Sequence, residues 1–236
     1  MQNWQDDLLH GLLSMPSDQK LFEALVSFAK ELDFDYCAYG LRLPLPISRP
    51  KFVMFNNYPV EWQRRYEENN YIDKDPTVKN GLRSLFPIVW SEDFASPDQA
   101  FWEEAYSFGL RVGWAQSARD AKGAVGMLTL ARSGKAFSPT ELRNKAFKMT
   151  WLSQVAHQGL SQRLTAKLIP EIGIKLSRRE TDVLRWTAEG KTSGEISMIL
   201  SISERTVNFH INSAIAKLNV SNKTAAAVRA AVLGML

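Results

Sequence analysis

Along the chain, apolar and polar positions mix helix and strand signals over the first 165 or so residues and give helix signals alone after a break near 166–174. After Ser17 and Asp18, residues Leu21, Phe22, Leu25, Phe28, Ala29 and Leu32 fall on one face at three- and four-residue spacing, which predicts an amphipathic helix. Phe34 to Arg42 and Phe52 to Phe55 then read as strands, with a turn at Arg49 to Lys51. Pro59 fits the first position of a helix carrying Val60 to Tyr66. Ile88 to Trp90 predicts a short strand, and Ser96 to Gln99 a capping box before a helix that Gly109 stops. Two further strands, Arg111 to Arg119 and Ala124 to Arg132, flank a hairpin connection from Asp120 to Gly123.

A second capping box, Ser138 to Glu141, opens a long helix toward Lys167. It carries two apolar stripes. One is Leu142, Ala146, Met149, Ala156, Leu160 and Leu164; the other is Phe147, Trp151 and Val155. One stripe can pack on a sheet and leave the other for a partner chain, or both can share one core. Helices flanking a mostly antiparallel sheet give an α+β fold, with an αβα arrangement over residues 1–165.

Pro170 and Gly173 interrupt the periodicity and mark a linker at 166–174. Beyond it, over 175–236, strand signals vanish and four helices are predicted. Ser177 with Glu180 and Thr192 with Glu195 form capping boxes, Ser203 and Asn222 can cap the next two helices, and Gly190 sits at a helix end. The fold class is therefore α+β, with an all-α four-helix C-terminal domain.

Composition narrows the function. Of 236 residues, 45% are hydrophobic and 23% charged, an ordinary globular balance that argues against a disordered chain. No apolar run reaches the roughly 18 to 20 residues of a membrane helix, and Asp6 and Asp7 break any signal-peptide core. One cysteine, Cys37, excludes an intramolecular disulfide and fits a reducing cytoplasm. With only His10, His157, His210 and Cys37, no His/Cys zinc site is expected, and no Ser/His/acid set marks a hydrolase or acyltransferase. The chain reads as neither an enzyme nor a metalloprotein. The net charge is +4, and residues 171–236 hold nine Lys/Arg against six Asp/Glu, a small basic segment suited to a polyanion.

Two of the C-terminal helices, Thr192–Leu200 and Glu204–Leu218, are separated by the short turn Ser201 to Ser203, the spacing of a helix-turn-helix. In the second, Val207, Ile211, Ala214, Ile215 and Leu218 face a core. Glu204, Arg205, Asn208, Asn212 and Lys217 lie opposite, as base-reading and phosphate-binding types or as an ordinary solvated face. Gly190-Lys-Thr192 imitates the end of a P-loop, but Arg185 stands where glycine is needed and a helix precedes it. The sequons at Asn219 and Asn222 have no secretory route to serve.

Leu176-Ser-Arg-Arg-Glu180-Thr-Asp-Val-Leu184, Trp186 to Thr192, Ile199 to His210, Lys217-Leu218 and Asn222-Lys223 together resemble the LuxR-type DNA-binding domain. The resemblance implies sequence-specific double-stranded DNA binding, with Thr192, Glu204, Arg205, Thr206, Asn208, Asn212 and Lys217 at the interface. His210 is open between helix packing and a phosphate contact, and is not expected to ligate a metal or act in catalysis.

A phosphoacceptor receiver domain is not expected upstream: Asp33 and Asp35 are the only acidic cluster near an early strand, and alternating parallel strands are missing. Instead Tyr58, Trp62, Tyr66, Trp90, Phe101 and Trp102 surround one carboxylate, Asp75, which suits a small-molecule pocket or a plain aromatic core with Asp75 as a helix cap. Their order is Tyr58-Pro-x-x-Trp62-x-x-x-Tyr66, Tyr71-x-x-x-Asp75-Pro76, Ile88-Val-Trp90 and Gly109-x-x-x-Gly113. It resembles the autoinducer-binding domain of LuxR-type quorum-sensing regulators. That resemblance implies an N-acyl-L-homoserine lactone as effector and no cofactor. Trp62 would donate to the lactone carbonyl and Asp75 accept from the amide N–H. Tyr58 and Thr129 would serve the amide carbonyl region, Trp90 and Phe101 pack on the ring, and Tyr66 line the acyl chamber. Ala38, Met54, Val78, Leu110, Val125 and Met127 are candidate tail contacts. The implied protein is a cytoplasmic homodimer acting on a two-fold-related promoter site, with RNA polymerase a further candidate partner; a regulator of the same class sensing another small molecule, or none, stays open.

Overall fold

The structure, a computed structural model, describes residues 10–92, 98–169 and 173–236. Asp6, Asp7, Ser96, Pro97 and Pro170, each used in the reading above, lie outside the described residues. The chain divides into two compact units, one mainly before and one mainly after Leu164/Thr165, with Pro44–Arg49 and Ala121–Gly123 counted in the second.

The first unit is built on five antiparallel strands: β1 (Tyr36–Arg42), β2 (Phe52–Asn56), β3 (Ile88–Trp90), β4 (Val112–Arg119) and β5 (Val125–Arg132), in the order β2-β1-β5-β4-β3. Register decides which residues share a face, because side chains alternate along a strand. Ala38 pairs with Thr129 and Gly40 with Met127, so these four lie side by side. Tyr39 and Leu128 pair on the opposite face.

That second face is covered by α1 (Asp18–Glu31) and by the long α5 (Pro139–Leu168). Phe22 of α1 meets Phe55, and His157 of α5 bonds the Tyr39 hydroxyl at 2.9 Å. Gly126 allows this: a Cβ there would stand 2.3 Å from His157 Nδ1 and 2.5 Å from the Tyr39 hydroxyl. The first face carries α2 (Val60–Glu68), a 3-10 turn (Tyr71–Asp73), α3 (Pro76–Arg83) and α4 (Gln99–Ser107). Helices on both faces make an αβα sandwich.

Three local expectations are corrected. Pro59 is the N-cap rather than the first helical residue, and its carbonyl accepts from Gln63 N at 3.0 Å. Ser138 caps Glu141 N at 3.1 Å, but the Glu141 carboxylate turns to Arg132 and Lys145 instead of closing the box, because two cations outcompete one backbone amide. Helix α5 continues to Leu168, into the span expected as linker. Its two stripes share neither predicted fate as a whole: Met149, Val155, Ala156, Leu160 and Leu164 are buried, while Ala146 and Phe147 near its start are exposed.

The second unit holds α6 (Arg178–Ala188), α7 (Ser193–Leu200), α8 (Glu204–Lys217) and α9 (Lys223–Val232). The capping boxes of Ser177 and Thr192 are complete, and Ser203 and Asn222 cap α8 and α9. Gly190 takes a left-handed φ of 82° just past α6, and Ser201 one of 52° in the α7–α8 turn. Val183, Ile196, Val207 and Ile211 form one core cluster; Leu184, Ala214, Leu218, Ala226, Ala227 and Ala230 form another.

Candidate functional site

Between the first sheet face and the helices above it lies a narrow cavity of about 50 Å³, partly open to solvent and lined mainly by apolar and aromatic side chains. Tyr58, Trp62, Tyr66, Asp75, Trp90, Phe101 and Thr129 all line it. So do Ala38, Met54, Val78, Leu110 and Met127. Val125 does not; it lines a second, smaller cavity of about 20 Å³ that shares Gly40, Phe52, Val78 and Met127 with the first.

Helix α2 places Trp62 and Tyr66 one turn apart, with ring centres 5.8 Å apart. Phe101 stands 5.9 Å from Trp62 and Tyr71 5.7 Å, so three elements close aromatic edges around one indole. Tyr71 and Arg65 both bond Glu104 of α4, tying these elements together. Trp90 packs on Trp102 at 5.4 Å and donates its indole N–H to the Leu110 carbonyl at 3.4 Å. This ring sits where only glycine fits: a Cβ on Gly113 would lie 2.1 Å from Trp90 Cζ2.

Asp75 is both helix cap and site residue. Its Oδ1 accepts from Thr77 N at 2.8 Å and Thr77 Oγ1 at 2.7 Å, capping α3. Its Oδ2 accepts from the Tyr66 hydroxyl at 2.9 Å. The carboxyl is buried, and burial raises its pKa, with the bonds from Thr77 and Tyr66 opposing. Burial, reinforced by the Asp75 charge, also raises the pKa of Tyr58 and of Tyr66. Both phenols therefore keep their protons at neutral pH. The pocket wall offers hydroxyl donors at Tyr58 and Thr129, an indole donor at Trp62 and an acceptor at Asp75. Tyr66, expected to line the tail chamber, lines the cavity and also donates its hydroxyl to the carboxylate.

Gly40, Phe52, Ile72, Thr77 and Ala105 also line the cavity, although no motif in the sequence pointed to them as site residues. Thr77 did carry a local signal, since a threonine two residues after a capping aspartate can bond it. Cys37 is fully buried and burial pushes its thiol up to about 12, so it is inert packing. Among the described residues no group of three or more His, Cys, Asp or Glu could hold a metal ion, and no helix is long and apolar enough to cross a membrane.

On α8, Glu204, Arg205, Asn208 and Asn212 are exposed opposite buried Val207, Ile211 and Ala214. Asn208 Oδ1 accepts from Ser193 Oγ at 2.8 Å, which links α7 to α8. Thr192 and Thr206 spend their hydroxyls at helix starts: Thr192 Oγ1 bonds Glu195 at 2.9 Å, and Thr206 Oγ1 shares a 2.8 Å bond with Ser203. Lys217, expected at a phosphate, bonds buried Glu180 Oε2 at 2.8 Å. Burial raises the Glu180 pKa, but bonds from Lys217, Ser177 N and Ser213 outweigh it and bring the carboxyl down to about 2. Lys217 therefore balances an internal charge. Phe209, not singled out in the sequence, is 67% exposed on this helix.

Residues 17–160 match the family model for the autoinducer binding domain, and residues 175–230 that for bacterial regulatory proteins of the luxR family. The chain is 48% identical over 238 residues to the transcriptional activator protein AnoR of Acinetobacter nosocomialis, covering all of both. The crystal structure of Escherichia coli SdiA superposes with a TM-score of 0.84 at 35% identity, over 98% of this chain and 97% of that one. SdiA in complex with octanoyl-rac-glycerol gives 0.82 at 34% identity, over 98% and 94%. CepR2 of Burkholderia cenocepacia, described as an N-acylhomoserine lactone dependent transcription factor, gives 0.61 at 34% identity, over 69% and 98%.

Proposed function

The chain belongs to the LuxR family of autoinducer-binding, DNA-binding transcription regulators, and from that premise we propose that its effector is an N-acyl-L-homoserine lactone held by Trp62 and Asp75. It is a regulator, as its relatives are, and not an enzyme. The observation that carries the lactone reading is the buried Asp75 carboxylate beside Tyr66 in an aromatic cavity with an apolar extension.

In this reading Oδ1 of Asp75 stays on Thr77 while Oδ2 accepts from the ligand amide N–H, with the Tyr66 hydroxyl fixing the carboxylate. Trp62 donates to the lactone carbonyl, and the Tyr58 and Thr129 hydroxyls donate to the amide carbonyl. Trp90 and Phe101 cover the ring. A buried polar head needs every one of these partners, since each one missing costs about 1–3 kcal/mol. The tail runs along Met54, Val78 and Met127 and adds about 0.8 kcal/mol per buried methylene. Binding orders the first unit and shifts the population toward a DNA-binding dimer in the cytoplasm, where Cys37 stays reduced; RNA polymerase is its further partner at the promoter.

A second reading is favoured by the SdiA complex with octanoyl-rac-glycerol: an acylglycerol whose hydroxyl, in place of an amide N–H, donates to Asp75. Thermal denaturation of the full chain separates the two. An octanoyl-homoserine lactone should raise the melting temperature, because it binds the native state only, and its ring-opened acid should not. Stabilisation by 1-octanoylglycerol alone would establish the second reading. No shift with any acyl lactone, whatever its chain length, would overturn the first.

A further inference from the structure

The groove-facing side of α8 contains one residue that hydrogen bonding cannot explain. Phe209 follows Arg205 by four positions and precedes Asn212 by three, so it shares their stripe on the helix surface. The stripe lies opposite Val207, Ile211 and Ala214, which are buried. Phe209 is 67% exposed, and its ring is braced edge-on by the neighbouring His210 at 5.4 Å. A phenyl ring neither donates nor accepts, so it is no partner for a phosphate oxygen. Set against the major-groove edge of guanine, adenine or cytosine, it would strip water from polar atoms and return nothing. Only thymine presents a methyl group in that groove, at C5.

We infer that Phe209 is a specificity-determining residue that reads a thymine methyl beside the bases contacted by Arg205, Asn208 and Asn212. This rests on the reading of α8 as the DNA-reading helix and adds to it one position of defined base identity. It also gives a reason for leaving a large ring in water in the free protein: its burial is completed by DNA.

The test uses the full chain with a saturating acyl-homoserine lactone. Its preferred duplex is first selected from a random pool, and each thymine is then replaced singly by deoxyuridine, which removes the methyl and leaves pairing intact. Wild type should lose about fourfold in affinity at one thymine per bound helix, the value of one buried methyl-sized group. Phe209→Ala should bind the parent duplex less tightly and show no further loss at that thymine, while Phe209→Leu should keep part of the effect. Circular dichroism should be unchanged, since the side chain is exposed. Uniform tolerance of deoxyuridine by wild type would overturn the inference. So would a Phe209→Ala protein that keeps the full methyl penalty, since another residue would then read it. If wild type selects no sequence at all, the DNA-reading role of α8 falls first, and this assignment with it.

Discussion

Gly113→Ala is the smallest change that should disturb the ligand pocket without touching a polar group. A β carbon at 113 would sit 2.1 Å from Cζ2, 2.4 Å from Cη2 and 2.6 Å from Cε2 of Trp90. Two carbons touch at about 3.5 Å, so the indole must retreat by roughly 1.4 Å. It has little room, because Trp90 is 3% exposed, packs on Trp102 at 5.4 Å and is held to the Leu110 carbonyl. Overpacking of this kind costs about 1–3 kcal/mol, against less than about 1 kcal/mol returned by the lower chain entropy of alanine. At about 2–4 °C per kcal/mol, the melting temperature should fall by several degrees. The displaced ring also enters the cavity it lines, so affinity for an acyl-homoserine lactone should drop at least about tenfold, some 1.4 kcal/mol. Melting curves and a fluorescence titration on the full chain measure both. Adding Trp90→Phe should relieve the clash and recover part of the stability. A Gly113→Ala protein that melts and binds like wild type would refute the argument that Trp90 occupies the space of a side chain at 113.

Three further outcomes are expected. Asp75→Asn keeps an oxygen for Thr77 but loses the charged acceptor, and lactone affinity should fall by about 1.5–3 kcal/mol in a titration, with an acylglycerol less affected. Met127→Ala removes side-chain atoms from the wall shared by the two cavities, so the preferred acyl chain in a length series should lengthen, each added methylene tightening binding about fourfold until the space is full. The third concerns pH. The Glu180 carboxyl titrates at about 2 in the folded unit against 4.5 when free, so its stabilisation is complete above about pH 4.5 and is lost as pH falls toward 2. Glu180→Gln should therefore be less stable than wild type at neutral pH, and the gap should close on acidification; a gap independent of pH would remove the charge from the explanation.

Much of this was readable in the chain because the relevant signals are local. Ser177 with Glu180 and Thr192 with Glu195 announce their helices by spacing alone, and both boxes close as expected. The strands β1, β4 and β5 were legible as short apolar runs bounded by turn residues, although their burial is near-continuous because helices cover both faces of the sheet. What escaped were choices made between elements distant in sequence. Glu141 has the right spacing for a capping box, yet Arg132, reached only through the fold of β5, captures it. Lys217 looks like a free cation until α6 brings buried Glu180 to it across 37 residues. Tyr66 reads as an aromatic lining residue until its hydroxyl meets Asp75. Gly113 gains its meaning only when β3 pairs with β4 and sets Trp90 directly opposite it. Partner choice of this kind depends on register, which no single stretch of sequence carries.

In a lactone-responsive regulator, lactone binding and DNA binding are energetically coupled. The most direct measurement is the affinity of the full chain for its selected duplex, with and without a saturating N-acyl-L-homoserine lactone, in wild type and in Asp75→Asn. The lactone should tighten DNA binding by wild type, and the gain should shrink in the variant at the same lactone concentration. DNA affinity that does not change when the lactone is bound would contradict the claim that this chain is a lactone-responsive regulator.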